Sequence, residues 1–209
     1  MYNPRSYRND RLEELFALIR RYNFGTLFTH RQGESFVTHL PFLVDAERGS
    51  HGTLVAHMAR ANGHWKAFDG AAPSVVVFTG PHAYVSPAWY REQETVPTWN
   101  YAVVHATGTP RLVTDDTRLH EMVMRLVQNH EAPLDRPWDV RRAESVMRIE
   151  LAAIVGFEIP IDHIEGKFKL SQNRSREDQE GVVRVLESSD DSSEREIARM
   201  MRESLKRST

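Results

Sequence analysis

Three β-rich runs in close succession, FGTLFTH (24–30), ESFVTHLPFLV (34–44) and GTLVAHM (52–58), constrain the fold more than any other feature of the chain. β-branched and aromatic residues suit pleated strands, and the connectors RQGE and DAERGSHG carry the glycine and charged residues of hairpin loops. Consecutive antiparallel strands follow. Two further runs, SVVVFTG (74–80) and TWNYAVVHATGTPRLVT (98–114), extend the sheet. Pro41 and Pro110 mark edges or bulges, where no ladder N–H is needed. Six or so strands point to a barrel.

Helical periodicity brackets this β region. Leu12, Leu15, Phe16 and Ile19 predict a helix over about 10–22, capped by Asn9 or Asp10. After Thr114 as cap, followed by Asp115 and Asp116, the spacing of Leu119, Met122, Val123, Leu126 and Val127 gives a second amphipathic helix. The loop EAPLDRPWDV leads to a short helical stretch and, from about Ala153, to one late strand. SREDQEGVVRVLES and SSEREIARMMRESLKR each begin with serine and an acidic first turn, then set Val182, Val183 and Leu186, or Ile197, Met200, Met201 and Leu205, on one face. The expected organisation is a β domain over 1–174 and a helical extension over 175–209, whose two helices are joined by the polar hinge SSDDSS.

Composition removes several classes of function. At 209 residues and 40% apolar content the chain has enough material for a core. Lys+Arg 27 against Asp+Glu 29 leaves a formal charge of -2, without the basic excess that phosphate-backbone binding produces. The cysteine count of 0 excludes disulfides, thiolate metal sites and a cysteine nucleophile, and fits a cytoplasmic protein. No run approaches the roughly 18 apolar residues of a membrane span. G-x-G-x-x-G, Walker, H-E-x-x-H and G-x-S-x-G motifs are missing from the sequence, and no catalytic constellation stands out. Of the 10 histidines, His39, His57, His64 and His82 lie in the β-rich half, at separations that match no zinc pattern, so no metal is expected.

Four segments hold polar and aromatic residues in unusual density. HMARANGHWKAF gathers Arg60, Asn62, His64 and Lys66 around Trp65, which suits a phosphate beside a planar ring, or equally a solvated loop with Trp65 plugging the barrel end. VPTWNY sets Thr98, Trp99 and Asn100 at a strand start, where they suit a ligand edge or ordinary turn chemistry. KFKLSQNR ends the last strand with Lys169, Ser171, Gln172, Asn173 and Arg174, a pattern that by itself also fits a helix cap with a charged rim. FTGPHAYVSPAWY adds His82, Tyr84 and Trp89.

GPHAYVSPAWY, VPTWNY, HMARANGHW, HLPF and KLSQNR together resemble the hallmark segments of the PaiB-type negative transcriptional regulators, an FMN-binding family, from the initial MYNP to Arg174. The resemblance implies a mainly β, α+β fold, an antiparallel FMN-binding split β-barrel related to pyridoxamine-phosphate oxidases. It also implies a homodimer, FMN as cofactor, a small-molecule ligand and repression of genes such as those for sporulation. SFVTHLPF takes the place of the strand that supplies cationic phosphate ligands in the oxidases, with Thr38 and His39 in their stead. His57, Arg60, Asn62, His64, Trp65 and Lys66 take the second phosphate-binding segment, and Trp99, Asn100 and Tyr101 the strand beside the flavin ring in a second copy. His82, Tyr84 and Trp89 form a cleft wall, with Lys169, Ser171, Gln172, Asn173 and Arg174 as further cleft residues.

Two positions depart from the family pattern: Gly63, expected to loosen its loop, and Ala88, which lacks a hydroxyl. Alternative functions of this superfamily are a flavin-dependent oxidoreductase and a haem-handling protein, the latter with His163 or His105 as iron ligand. Direct DNA reading is not expected. The strongest helix for it, SSEREIARMMRESLKR, carries Glu194, Glu196 and Glu203 among its arginines, and its apolar stripe reads as a docking face.

Overall fold

In a computed structural model that describes residues 1–207, the elements in chain order are β1 (Arg8–Asn9), α1 (Leu12–Arg21), β2 (Phe24–Arg31), β3 (Glu34–Pro41), β4 (Leu43–Asp45), β5 (Thr53–Ala59), β6 (Ser74–Val85), β7 (Thr98–Gly108), β8 (Arg111–Val113), α2 (Asp116–Glu131), α3 (Glu144–Leu151), β9 (Ile154–Pro160), β10 (His163–Lys169), α4 (Arg176–Glu187) and α5 (Ser192–Arg207). The described chain forms two compact units. One comprises Met1–Leu15, Thr79–Val104 and the chain from Glu165 onward; the other comprises Phe16–Phe78 and His105–Ile164. Strands β6 and β7 each run from one into the other.

In the unit containing Phe16–Phe78, β2 pairs antiparallel with β3 from Phe24↔Pro41 to Arg31↔Glu34, and with β6 from Thr26↔Val77 to Thr29↔Ser74. The two-residue turn Gln32–Gly33 has positive φ at both positions, 51° and 84°, which matches the right-handed twist of the flanking strands. β3 is a sheet edge and ends at Pro41, the place where a missing N–H costs nothing. A second antiparallel sheet runs β4-β5-β9-β8. Phe42, Phe78 and Phe157 meet edge-to-face in the core, with centroids 5.6 and 6.2 Å apart.

Two local expectations are corrected. The cap of α2 is Asp115, not Thr114: its Oδ1 accepts from the Arg118 backbone N at 2.7 Å, placing a carboxylate at the helix's positive end. Where one late strand is expected there are two, β9 and β10. Pro160 ends the first, and the intervening Ile161 and Asp162 donate their backbone N–H groups to Gly52 and Thr107. Together with β1, β4 and β8, each too short to show a period, this raises the described strands to ten.

In the other unit, β1 pairs antiparallel with β10 (Arg8↔Lys167, Asn9↔Gly166), and the strand order is β1-β10-β7-β6. Helices α4 and α5 cover one face. Ala83 and Val85 of β6 and Leu170 after β10 share a buried cluster with Val182, Val183 and Leu186 of α4 and Ile197, Ala198, Met201 and Leu205 of α5. The apolar stripe of the last helix is therefore a docking face, as its spacing predicts. Ser175 caps α4 by accepting from the Asp178 backbone N at 3.1 Å. The chain beyond residue 174 shares one core with these strands.

Candidate functional site

The segment after β5 is held by a continuous chain of hydrogen bonds. Asn62 caps the 3-10 turn Gly63–Ala67 by accepting from the His64 backbone N at 3.1 Å, and donates through Nδ2 to Thr38 Oγ1 at 3.2 Å. Thr38 Oγ1 is bonded to His64 Nδ1, His64 Nε2 to Thr29 Oγ1, each at 2.8 Å, and Thr29 to Ser74 at 2.6 Å. The His64 ring is stacked on Phe36 and only 2% exposed, and burial pushes its pKa down to about 4, so the ring is neutral at physiological pH. Gly63 has open space where a Cβ would lie and no left-handed φ, so the asparagine cap fixes this loop whatever residue stands at 63.

Around this chain stand groups with unused hydrogen-bonding capacity. Arg60 donates through Nε to the Ala152 carbonyl and through Nη2 to the Ile154 carbonyl, both at 2.8 Å, and its own carbonyl accepts from Trp65 Nε1. Its remaining guanidinium N–H groups lie on an exposed residue. Lys66 is exposed, its Nζ 5.8 Å from the Trp65 ring centroid. On β5, His57 has a buried Nδ1 without a partner, and burial lowers its pKa. His39 is exposed and stacks on Phe24.

In the other unit, the period of two along each strand sorts side chains between the helix-covered face and the opposite one. The opposite face carries His82 and Tyr84 of β6, Trp99 and Tyr101 of β7, and Lys167 and Lys169 of β10. Trp99 is 52% exposed, with its ring centroid 6.0 Å from His82 and 5.9 Å from Tyr84; Trp89 lies edge-on to Tyr84. Lys167 Nζ lies 5.3 Å from both the Tyr2 and Tyr101 rings, and Lys169 contacts the Thr98 hydroxyl and lies 6.0 Å from Tyr7. Arg174 stacks 4.9 Å over Tyr90 and donates to Thr95 Oγ1 at 2.6 Å.

On the helix side, Asn100 is fully buried. Its Nδ2 donates to Ser171 Oγ at 2.9 Å and to Met201 Sδ at 3.4 Å. Gln172 is occupied by the Leu170 N–H and the Phe168 carbonyl, and Asn173 is exposed. Ala88 lies in a short turn capped by Ser86, whose hydroxyl accepts the Ala88 N–H. His163 is exposed at the start of β10 and His105 lies within β7. Among the described residues, no three histidines or carboxylates converge to hold a metal.

The structure thus joins Thr38, Asn62 and His64 directly, gathers His82, Tyr84, Trp89 and Trp99, and turns Asn100 and Ser171 toward one another. Sequence reasoning missed Thr29 and Ser74, buried partners of His64, and Thr95 and Lys167. Only Lys167 left a readable signal, since K-F-K puts two lysines on one face of a strand and the phenylalanine on the other.

Residues 1–163 match the family model described as "Putative FMN-binding domain". The "Protease synthase and sporulation protein PAI 2" of Bacillus subtilis (strain 168) is 34% identical over 209 residues, covering 99% of each chain. Among solved structures, the FAD and haem binding protein of Mycobacterium smegmatis aligns with TM-score 0.56 at 20% identity, over 78% of this chain and 73% of its own. A conserved hypothetical protein of Mycobacterium tuberculosis aligns with TM-score 0.60 at 10% identity, over 84% and 95%. These two likenesses establish the fold: antiparallel β with flanking helices, of the split-barrel class. The chain belongs to the PaiB-type family of FMN-binding domains, whose cofactor is FMN.

Proposed function

We propose that the protein is a PaiB-like cytoplasmic regulator that binds FMN as a homodimer, answers to a small molecule and represses its targets without itself reading DNA. The observation that carries this reading is the helix-free sheet face with Trp99 and Tyr84 exposed, 52% and 41%. Flat apolar surface of this kind is covered by a planar ring or by a second copy of the chain. Bound FMN supplies a flat, redox-active ring with visible absorption.

The residues present fit FMN. The partnerless buried Nδ1 of His57 is the kind of group a ligand satisfies, and Arg60 and Lys66 offer charged N–H donors beside it in sequence. Thr38, Asn62 and His64 hold the turn that presents these donors, with His39 and Trp65 on its borders. Trp99 and Tyr101 of a second copy flank the ring, and buried Asn100 positions rather than touches. Indirect regulation draws support from α5, where Arg199 pairs with Glu196 and Glu203, Arg202 with Glu187, and Arg207 with Glu14. Cations neutralised in this way have little left for phosphates.

Arg60→Ala tests the reading. A charge-assisted bond to phosphate contributes roughly 1.5–3 kcal/mol, so FMN affinity should fall about tenfold or more. Titration followed by flavin fluorescence measures it. Unchanged affinity places the phosphate elsewhere, and a Soret band in the purified protein replaces flavin with haem.

A further inference from the structure

We propose that Lys169 and Arg174, with Lys167 beside them, bind the acid group of a small planar ligand other than FMN, whose ring lies against the exposed Val96. This site rests on the reading above only in that the FMN phosphate is held by residues other than Lys169 and Arg174. Lys169 contacts the hydroxyl of Thr98, and Arg174 donates to Thr95, so two cations converge on one four-residue segment. Each has a neutral hydroxyl and an aromatic ring as partners and, among the described residues, no carboxylate. The one carboxylate of β10, Glu165, is taken by the Met1 amino group.

Cations held together away from water repel and lose hydration, and an anion reverses both penalties. Burial, and then the charges of Lys167 and Arg174, accordingly hold the Lys169 ammonium below its ordinary pKa. The backbone between the two cations is prearranged: Ser171 is buried in the left-handed region at φ 63°, and its side chain is fixed by Asn100. A non-glycine residue keeps that conformation only where its surroundings enforce it. Thr98 adjoins Trp99, and Val96 in the same segment is 71% exposed, so apolar surface borders the charges. Surface of this composition selects a ring bearing a carboxylate or a phosphate over a bare inorganic anion.

The test titrates the protein, as purified and after saturation with FMN, with benzoate and separately with phenyl phosphate, read by calorimetry and tryptophan fluorescence. Saturable binding is expected, weakened about tenfold or more by Lys169→Met or Arg174→Met and retained by Lys169→Arg, with FMN affinity unchanged throughout. No saturable binding of either probe, or binding indifferent to both methionine variants, overturns the proposal. So does a Lys169→Met protein that loses FMN affinity while holding riboflavin as before, because the anion would then be the FMN phosphate itself. Arg60→Ala separates the two claims: unchanged FMN affinity in that variant, with benzoate binding intact, removes the FMN assignment and leaves the acid site standing.

Discussion

His64 looks, in the sequence, like one more donor in a polar loop. In the structure both ring nitrogens are spent on threonine hydroxyls, so its work is to fasten a turn. Its folded pKa of about 4 lies below the 6.5 of an unhindered imidazole. Below the higher value the unfolded chain takes up the proton first, so stability is full above it and is lost as pH falls from about 6.5 toward 4, by at most about 1.4 kcal/mol per pH unit. Thermal melts from pH 8 to 4.5 should show this loss in the native protein and a shallower one in His64→Gln. Ring signals of His64 that titrate near 6.5 in NMR would contradict the buried, neutral assignment. Residue types told us that polar groups gather between 57 and 66. Which of them satisfy each other depends on Thr29, Thr38 and Ser74, brought in from other strands, and no local pattern encodes that.

At the scale of elements, the long periodic segments were legible and the short ones were not. α1, α2, α4 and α5 follow from apolar spacing, and β2, β3, β5 and β7 from β-rich runs between hairpin loops. β1, β4 and β8 carry two or three residues each, too few for a period, and exist because a neighbouring strand supplies their partners. The packing of α4 adds a demand that periodicity hides. A Cβ on Gly181 would run into the backbone carbonyl of Trp89, which has no flexible end to move aside. Gly181→Ala should therefore cost about 1–3 kcal/mol despite the better helix propensity of alanine. Chemical denaturation with both proteins side by side measures the difference, and an alanine variant of equal or greater stability would refute the close contact.

For the whole molecule, assembly and DNA reading are the quantities to measure. A stable homodimer buries on the order of 1,000 Å² or more, and the face bearing Trp99 and Tyr84 offers the apolar surface to begin one. Sedimentation at micromolar concentration should give a dimer, and Trp99→Asp should shift it toward monomer; a native protein that stays monomeric removes the shared-ring arrangement. Gel shifts at physiological salt should show no sequence-specific duplex binding, with or without FMN, whereas nanomolar, competitor-resistant binding would reassign regulation to direct contact. Family, fold and cofactor were legible because several motifs recur in order along the chain. The unpaired cations were not, since pairing is a property of the folded neighbourhood.

One further consequence follows from Met201, a fully buried residue of α5 that accepts a hydrogen bond from Asn100. Oxidants add an oxygen to methionine sulfur only where they can reach it. Met201 is 0% exposed, so peroxide reaches it only when the last helix lifts away. The chain thus carries a chemical clock for the opening of its own C-terminal helix, and the sulfoxide formed there, too polar for the site it came from, would keep that helix from closing again.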